Sequence, residues 1–182
     1  ATIRRQRQMC IRDSINTNLA AAAGVVVALI ATQVMYKKVD LTMALNGALG
    51  GLVAVTAEPL APSPAIAIFV GAVGGLLVVL TVPLLDKLKI DDVVGAIPVH
   101  LIAGIWGTIA VIFSNGDASI ATQIIGIVAI GAFVVVTTGI VWTVLKMSIG
   151  IRVTEEEEVA GLDQKEIGME AYPEFGRGSQ TM

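Results

Sequence analysis

Five long uncharged apolar runs, separated by short charged connections, constrain this chain more than any other feature of its sequence. The runs occupy residues 14–36, 41–57, 59–85, 93–116 and 118–145. A helix needs about 20 apolar residues to cross the hydrocarbon core of a bilayer, with a range of roughly 17–25 and more when tilted. Each run therefore reads as one membrane span, the second at the short limit. Inside lipid the backbone must satisfy its own hydrogen bonds, so each span is expected to be helical. A membrane β-barrel would need short segments of alternating polarity, and stretches such as 25–31 and 124–136 do not alternate.

Composition agrees. The chain is 55% hydrophobic and only 15% charged, with a mean hydropathy of +0.81. A soluble domain carries about 25% charged residues. The single cysteine, Cys10, excludes an internal disulfide and a multi-cysteine metal site. The first apolar run is too long for the short core of a cleaved secretory signal.

The connections set an orientation. Lys37 and Lys38 lie between the first two runs, and Lys87 and Lys89 between the third and fourth. Residues 58–63 and 114–119 contain no Lys or Arg. Positive residues favour the cytoplasmic side, so the Lys-bearing connections are expected there, and the C-terminal tail with Lys146 and Arg152 as well. That leaves Arg4, Arg5, Arg7 and Arg12 on the opposite face. Either the bias is overridden there, or residues 1–13 are a non-native leader. The second reading is preferred, because residues 4–14 resemble adapter-derived sequence translated at the ends of assembled environmental DNA. The chain then divides into a leader (1–13), a five-helix membrane region (14–149) and a cytoplasmic tail (150–182), and the native protein continues upstream.

One ionisable side chain lies well inside a span: His100. Such a residue is a candidate functional group, because a polar ring in lipid is costly without a partner. The alternative is a histidine that hydrogen-bonds between helices as packing glue. Pro98 removes a helix hydrogen bond just before it, and Ala103, Gly104 and Gly107 leave room for a close neighbour. Neutral imidazole offers one donor and one acceptor, which suits a small polar molecule or a proton in an apolar passage. A lone histidine lacks the further ligands that a metal or haem would need. No cofactor is expected, and no nucleic-acid partner.

Other features read as structural. Gly47 with Gly51, and Gly71 with Gly75, have the four-residue spacing of close helix packing. Asp91 and Asp92 are placed to cap the fourth span and complement its dipole. Trp106 and Trp142 read as interfacial or packing aromatics. In the tail, the Glu155 to Glu158 run is either a solvated face or part of a docking segment. The apolar Val153, Val159, Leu162, Ile167, Met169 and Tyr172 interspersed around it favour docking. Residues 176–182 are expected to be disordered.

Several stretches, in order, make the chain resemble the ammonium transporter (Amt/Rh) family. They are Asn16-Thr17-Asn18 with the alanines after it, Leu45-Asn46-Gly47-Ala48-Leu49 with Gly51-Leu52-Val53, and Asp86-Lys87-Leu88-Lys89-Ile90-Asp91-Asp92. They continue with Gly95-Ala96-Ile97-Pro98-Val99-His100, Gly104-Ile105-Trp106-Gly107-Thr108 and, in the tail, Gly150-Ile151-Arg152-Val153 through Gly161-Leu162-Asp163 to Gly168 and Ala171-Tyr172. The resemblance runs from about residue 14 to residue 175. It implies an all-α polytopic transmembrane bundle, in which these five spans are the last five of an eleven-helix protomer that assembles as a homotrimer in the cell membrane.

It also implies roles. His100 matches the second member of a twin-histidine pair at the pore centre, Thr56 a threonine near the outer substrate site, and Leu49 and Ala96 apolar pore-lining positions. The pair is thought to deprotonate ammonium or relay its proton, so that bare charge does not cross the constriction. The tail residues Arg152, Glu155, Glu156, Glu157, Glu158, Gly161, Asp163 and Tyr172 match a regulatory segment that contacts the neighbouring subunit and responds to PII-type signalling proteins. Lys165 stands where plant relatives carry a regulatory threonine, which removes that mode of control. The partner histidine, the phenylalanine gate and most of the outer site belong to helices not represented here. Three readings remain open: a transporter of ammonium or ammonia that serves nitrogen uptake and admits methylammonium, a sensor on the same fold, and an inactive fragment. An enzyme is disfavoured, because no nucleophile, carboxylate pair or metal constellation is present.

Overall fold

A computed structural model describes residues 2–61 and 63–172. The expected disorder of residues 176–182 lies outside the described residues. The described chain is helical between its turns, with α1 (Thr2–Tyr36), α2 (Leu41–Val55), α3 (Pro64–Lys87), a π-helical turn (Ile97–Ile102) that runs into α4 (Ala103–Ala110), α5 (Ile120–Ser148) and a short α6 (Glu155–Ala160). It divides into two compact units, residues 1–131 and 132–182, with the break inside α5.

Three helices are long and apolar enough to cross a membrane, Ile3–Tyr36, Pro64–Lys87 and Ile120–Ser148, and two shorter apolar helices accompany them, Leu41–Val55 and Ile97–Phe113. The basic leader continues α1 without a break. At 35 residues that helix is about 52 Å long, well beyond the ~30 Å of hydrocarbon.

In the first unit α1, α2 and α3 pack as an antiparallel trio whose contacts are made by backbone. Gly47 and Gly51 of α2 lie against Gly24 and Ala20 of α1, and Gly71 and Gly75 of α3 lie against the same two residues. Gly50 meets Gly74 across the third contact. A Cβ at any of these α2 and α3 positions would enter a neighbour's backbone or side chain, so the glycines set the helix separation. Ala20, Val55 and Ala67 form one buried cluster, and Ala54, Val70 and Ala110 another, with Ile66 and Trp106 against it.

Local signals fix the ends. The Asp40 side chain accepts a hydrogen bond from the Met43 N–H and starts α2. Ser63 caps α3, with Pro64 in the first turn where its missing N–H costs nothing. The third apolar run was expected to be helical from residue 59. Instead residues 56–63 form a turn, and the Ser-Pro pair marks the true start. Lys37 and Lys89 take left-handed φ values of 58° and 57° and end α1 and α3.

The fourth run departs most from a plain span. Its helical part covers 97–113, and its first turn is π-helical, with the Ala103 N–H bonded to the Pro98 carbonyl five residues back. Asp92 caps this entry: its two carboxylate oxygens accept from the N–H groups of Ala96 (2.8 Å) and Ile97 (2.7 Å). Partial burial opposes the Asp92 charge, yet hydrogen bonds from the backbone of Ile97, Ala96, Gly95 and Val94 outweigh it and hold the carboxyl below its ordinary range.

Candidate functional site

The candidate line of residues is built on α2 and on the π-helical turn with α4. Asn46 ties the two together at one end, its amide donating to the Val94 carbonyl (3.1 Å). At the other end Gly104 faces the Val53 side chain, and Gly107 lies against the Ala54 backbone. The pairings 46 with 94, 53 with 104 and 54 with 107 all advance in the same direction. The two segments therefore run parallel, and Leu49 and His100 stand at about the same level.

The faces agree. Positions 49 and 53 share one side of α2, and positions 100 and 104 share one side of the other segment, since residues four apart lie above one another. These two stripes meet at Val53 and Gly104. Leu45, Leu49 and Thr56 are exposed along α2, and Ala96, His100 and Leu101 along the other segment. Leu49 is 46% exposed. Ala96 lies about one turn from His100 toward the Lys-bearing end, and Thr56 about 10 Å from Leu49 toward the other. The Thr56 hydroxyl donates to the Val53 carbonyl (2.6 Å), which leaves its oxygen free to accept. All four sequence candidates thus lie along one open, otherwise apolar track, with His100 as its only ionisable group.

Three residues that support this geometry carried no sequence-level assignment of that kind. Asn46 fixes the register of the π-helical segment. Trp106 donates its indole N–H to the Val70 carbonyl of α3 (2.9 Å) and stacks edge-on to Phe69, with centroids 6.0 Å apart. Asn16 of α1 is fully buried, and its amide donates to the carbonyls of Pro59 (3.0 Å) and Ala61 (3.2 Å), pinning the turn after Thr56. A polar side chain deep in an apolar run was the available signal for both asparagines.

The tail candidates form a separate, self-contained set. Thr154 and Glu157 make a reciprocal capping box at the start of α6. Lys165 pairs with Glu157 at 3.0 Å, and Arg152 with Glu158 at 3.7 Å. Asp163 accepts from the N–H groups of Gln164 (2.9 Å) and Ala171 (2.8 Å) and closes the segment into a loop. Gly161 supplies the backbone with φ +102° beside it, a conformation that other residues rarely adopt. The Lys165 hydrogen bond, followed by those to Thr154, lowers the Glu157 pKa below its ordinary value. The Ala171 and Gln164 N–H groups do the same for Asp163. Glu155, Glu156 and Tyr172 are exposed. Among the described residues, no three His, Cys, Asp or Glu side chains come together as metal ligands.

Comparison with known proteins decides the family. The model of the Ammonium Transporter Family matches residues 1–172. The chain belongs to the ammonium transporter family. It is 38% identical to ammonium transporter Amt2 of Archaeoglobus fulgidus over 180 residues, which cover 88% of this chain and 38% of that protein. It is 35% identical to an ammonium transporter of Bacillus subtilis, over 87% of this chain and 43% of that one. The solved structure of a protein named Sensor Amt Protein superposes with a TM-score of 0.79 at 30% identity, covering 85% of this chain and 41% of that chain. The chain spans about two-fifths of the length of these relatives. It is part of a multi-pass membrane protein of an all-helical, non-enzymatic family.

Proposed function

We propose that this chain is the C-terminal portion of a transporter of ammonium or ammonia, and that the track of Ala96, Leu49, His100 and Thr56 is its share of the pore wall. The observation that carries the reading is the level placement of Leu49 and His100 on two parallel segments, along a track that is open in this chain and apolar apart from the imidazole. An ion in so apolar a passage is expensive. An imidazole nitrogen that accepts a proton from ammonium lets the neutral molecule pass while the proton is held on the ring. Thr56, toward the Lys-free end, offers an acceptor to an arriving N–H.

In this reading the Lys-bearing end and the tail are cytoplasmic, the complete protein is a homotrimer, and Arg152, Glu155 to Glu158, Gly161, Asp163 and Tyr172 form the surface for the neighbouring subunit or a PII-type protein. The test is His100→Ala in the complete protein. Methylammonium uptake is expected to fall at least tenfold or to change its ion selectivity, with trimer assembly intact. Unchanged uptake and unchanged selectivity would remove His100 from the pore. The sensor reading draws on the printed name of the structural neighbour. It would be favoured by a wild-type protein that binds ammonium without transporting it.

A further inference from the structure

The turn between α2 and α3 holds a carboxylate that the pore track does not use. The Glu58 backbone is fixed on both sides: its N–H donates to the Val55 carbonyl (3.1 Å), and its carbonyl accepts from the Ala61 N–H (3.2 Å). Asn16 clamps the same turn through Pro59 and Ala61. The Glu58 side chain is half-buried, and among the described residues it accepts no hydrogen bond and forms no ion pair. It lines a cavity of about 10 Å³, together with Ser114 and the buried face of α2, α3 and α4 at Ala54, Val70 and Ala110. That volume holds one water-sized species. The wall at Ala54 lies on the packed side of α2, away from the face that carries Leu49 and Thr56.

The chemistry of the lining narrows the occupant. A carboxylate partly withdrawn from water needs a compensating charge, and neither residues 58–63 nor residues 114–119 contain Lys or Arg. The Ser114 hydroxyl donates to the Val111 carbonyl (3.1 Å), which leaves its oxygen able to accept. A divalent cation requires about six oxygen ligands, and these largely apolar walls do not supply them. A water would fill the space and leave the charge unbalanced. A monovalent cation of ammonium's size fits the volume, balances the charge, and donates hydrogen bonds to both the carboxylate and the hydroxyl.

We propose that Glu58 and Ser114 form a binding site for one small monovalent cation of the ammonium type, set in the packed interior between α2, α3 and α4 and separate from the pore track. The site does not depend on the transport reading, and the two are tested apart. Thermal unfolding of the complete purified protein is followed in ammonium chloride and in choline chloride at equal ionic strength. A ligand held at about ten times its Kd raises the midpoint of a protein of this size by roughly 3–6 °C. That rise is expected in ammonium for the wild type and for His100→Ala. It is expected to vanish in Glu58→Gln and to fall by at least half in Ser114→Ala, so that either variant suffices if the other fails to fold. Loss of the rise in His100→Ala, its survival in Glu58→Gln or in Ser114→Ala, or no difference between the two salts would overturn the site and leave a cavity for water. Uptake, measured separately, decides transport whatever the midpoints show.

Discussion

The trio of α1, α2 and α3 and the tail from Gly150 to Tyr172 are held together by opposite means. In the trio the contacts are backbone against backbone at Gly24, Gly47, Gly51, Gly71 and Gly75, and the side chains near them are small and apolar. In the tail no residue is buried, and the shape rests on the Thr154 and Glu157 box, the Lys165 pair and the two N–H groups held by Asp163. The first region is therefore specified by volume and the second by charge and hydrogen bonding. A perturbation that destroys one is expected to leave the other almost untouched.

The largest effect expected from this difference is on volume. Gly71→Leu places a side chain into the Ala20 backbone with nothing flexible to yield, so a loss of about 4 kcal/mol or more is expected, read as absent folded protein in detergent. Gly131 and Gly139 of α5 have nothing within 4 Å of an added Cβ, and Gly→Ala there is expected to be neutral or mildly stabilising. Equal tolerance at Gly71 and Gly139 would end the distinction.

An intermediate effect belongs to the tail. Asp163→Ala frees the Gln164 and Ala171 N–H groups, and their hydrogen exchange is expected to speed up about tenfold while the midpoint of the bundle stays put. Its pH counterpart follows from the lowered pKa values of Glu157 and Asp163. A carboxylate whose folded pKa lies below its unfolded value stabilises fully above the unfolded value, and that contribution disappears as pH falls through the folded one. The Ala171 amide resonance is therefore expected to hold steady from neutral pH to about 5 and to move to its unfolded position as pH drops below about 4. Movement between pH 8 and 6 instead would assign the loop to other groups. The smallest effect is at Arg152, whose side chain is 82% exposed in its pair with Glu158. Arg152→Ala is expected to change tail exchange by less than twofold, in line with the small worth of exposed pairs.

Legibility in the sequence follows the same division. The five apolar runs located every long helix, because lipid leaves the backbone few alternatives. The glycine spacings predicted close packing, and Gly47, Gly51, Gly71 and Gly75 are where it occurs. Asp92 was readable as a cap and is one. The turn at 56–63 was not readable from hydropathy, since Pro59, Leu60 and Ala61 are as apolar as the helix that follows. Only the Ser63-Pro64 pair signalled the boundary. Pro98 announced a disturbed helix beside His100, but one missing N–H does not say whether the chain will kink, tighten or widen. The pairing of Leu49 with His100 required the Asn46 to Val94 and Val53 to Gly104 contacts, which no local pattern contains.

The widened turn at Ile97–Ile102 has a consequence for how this segment tolerates length changes. It takes up more residues per revolution than the helix that follows, so it works as a spacer that sets the rotational phase of everything after it. Deleting one residue there would restore ordinary winding and rotate α4 by about 100° relative to the imidazole. Gly104 and Gly107 would then swing away from Val53 and Ala54, and bulkier neighbours would take their place. Substitutions in this turn change chemistry, whereas an insertion or deletion changes which side of the helix meets its neighbour.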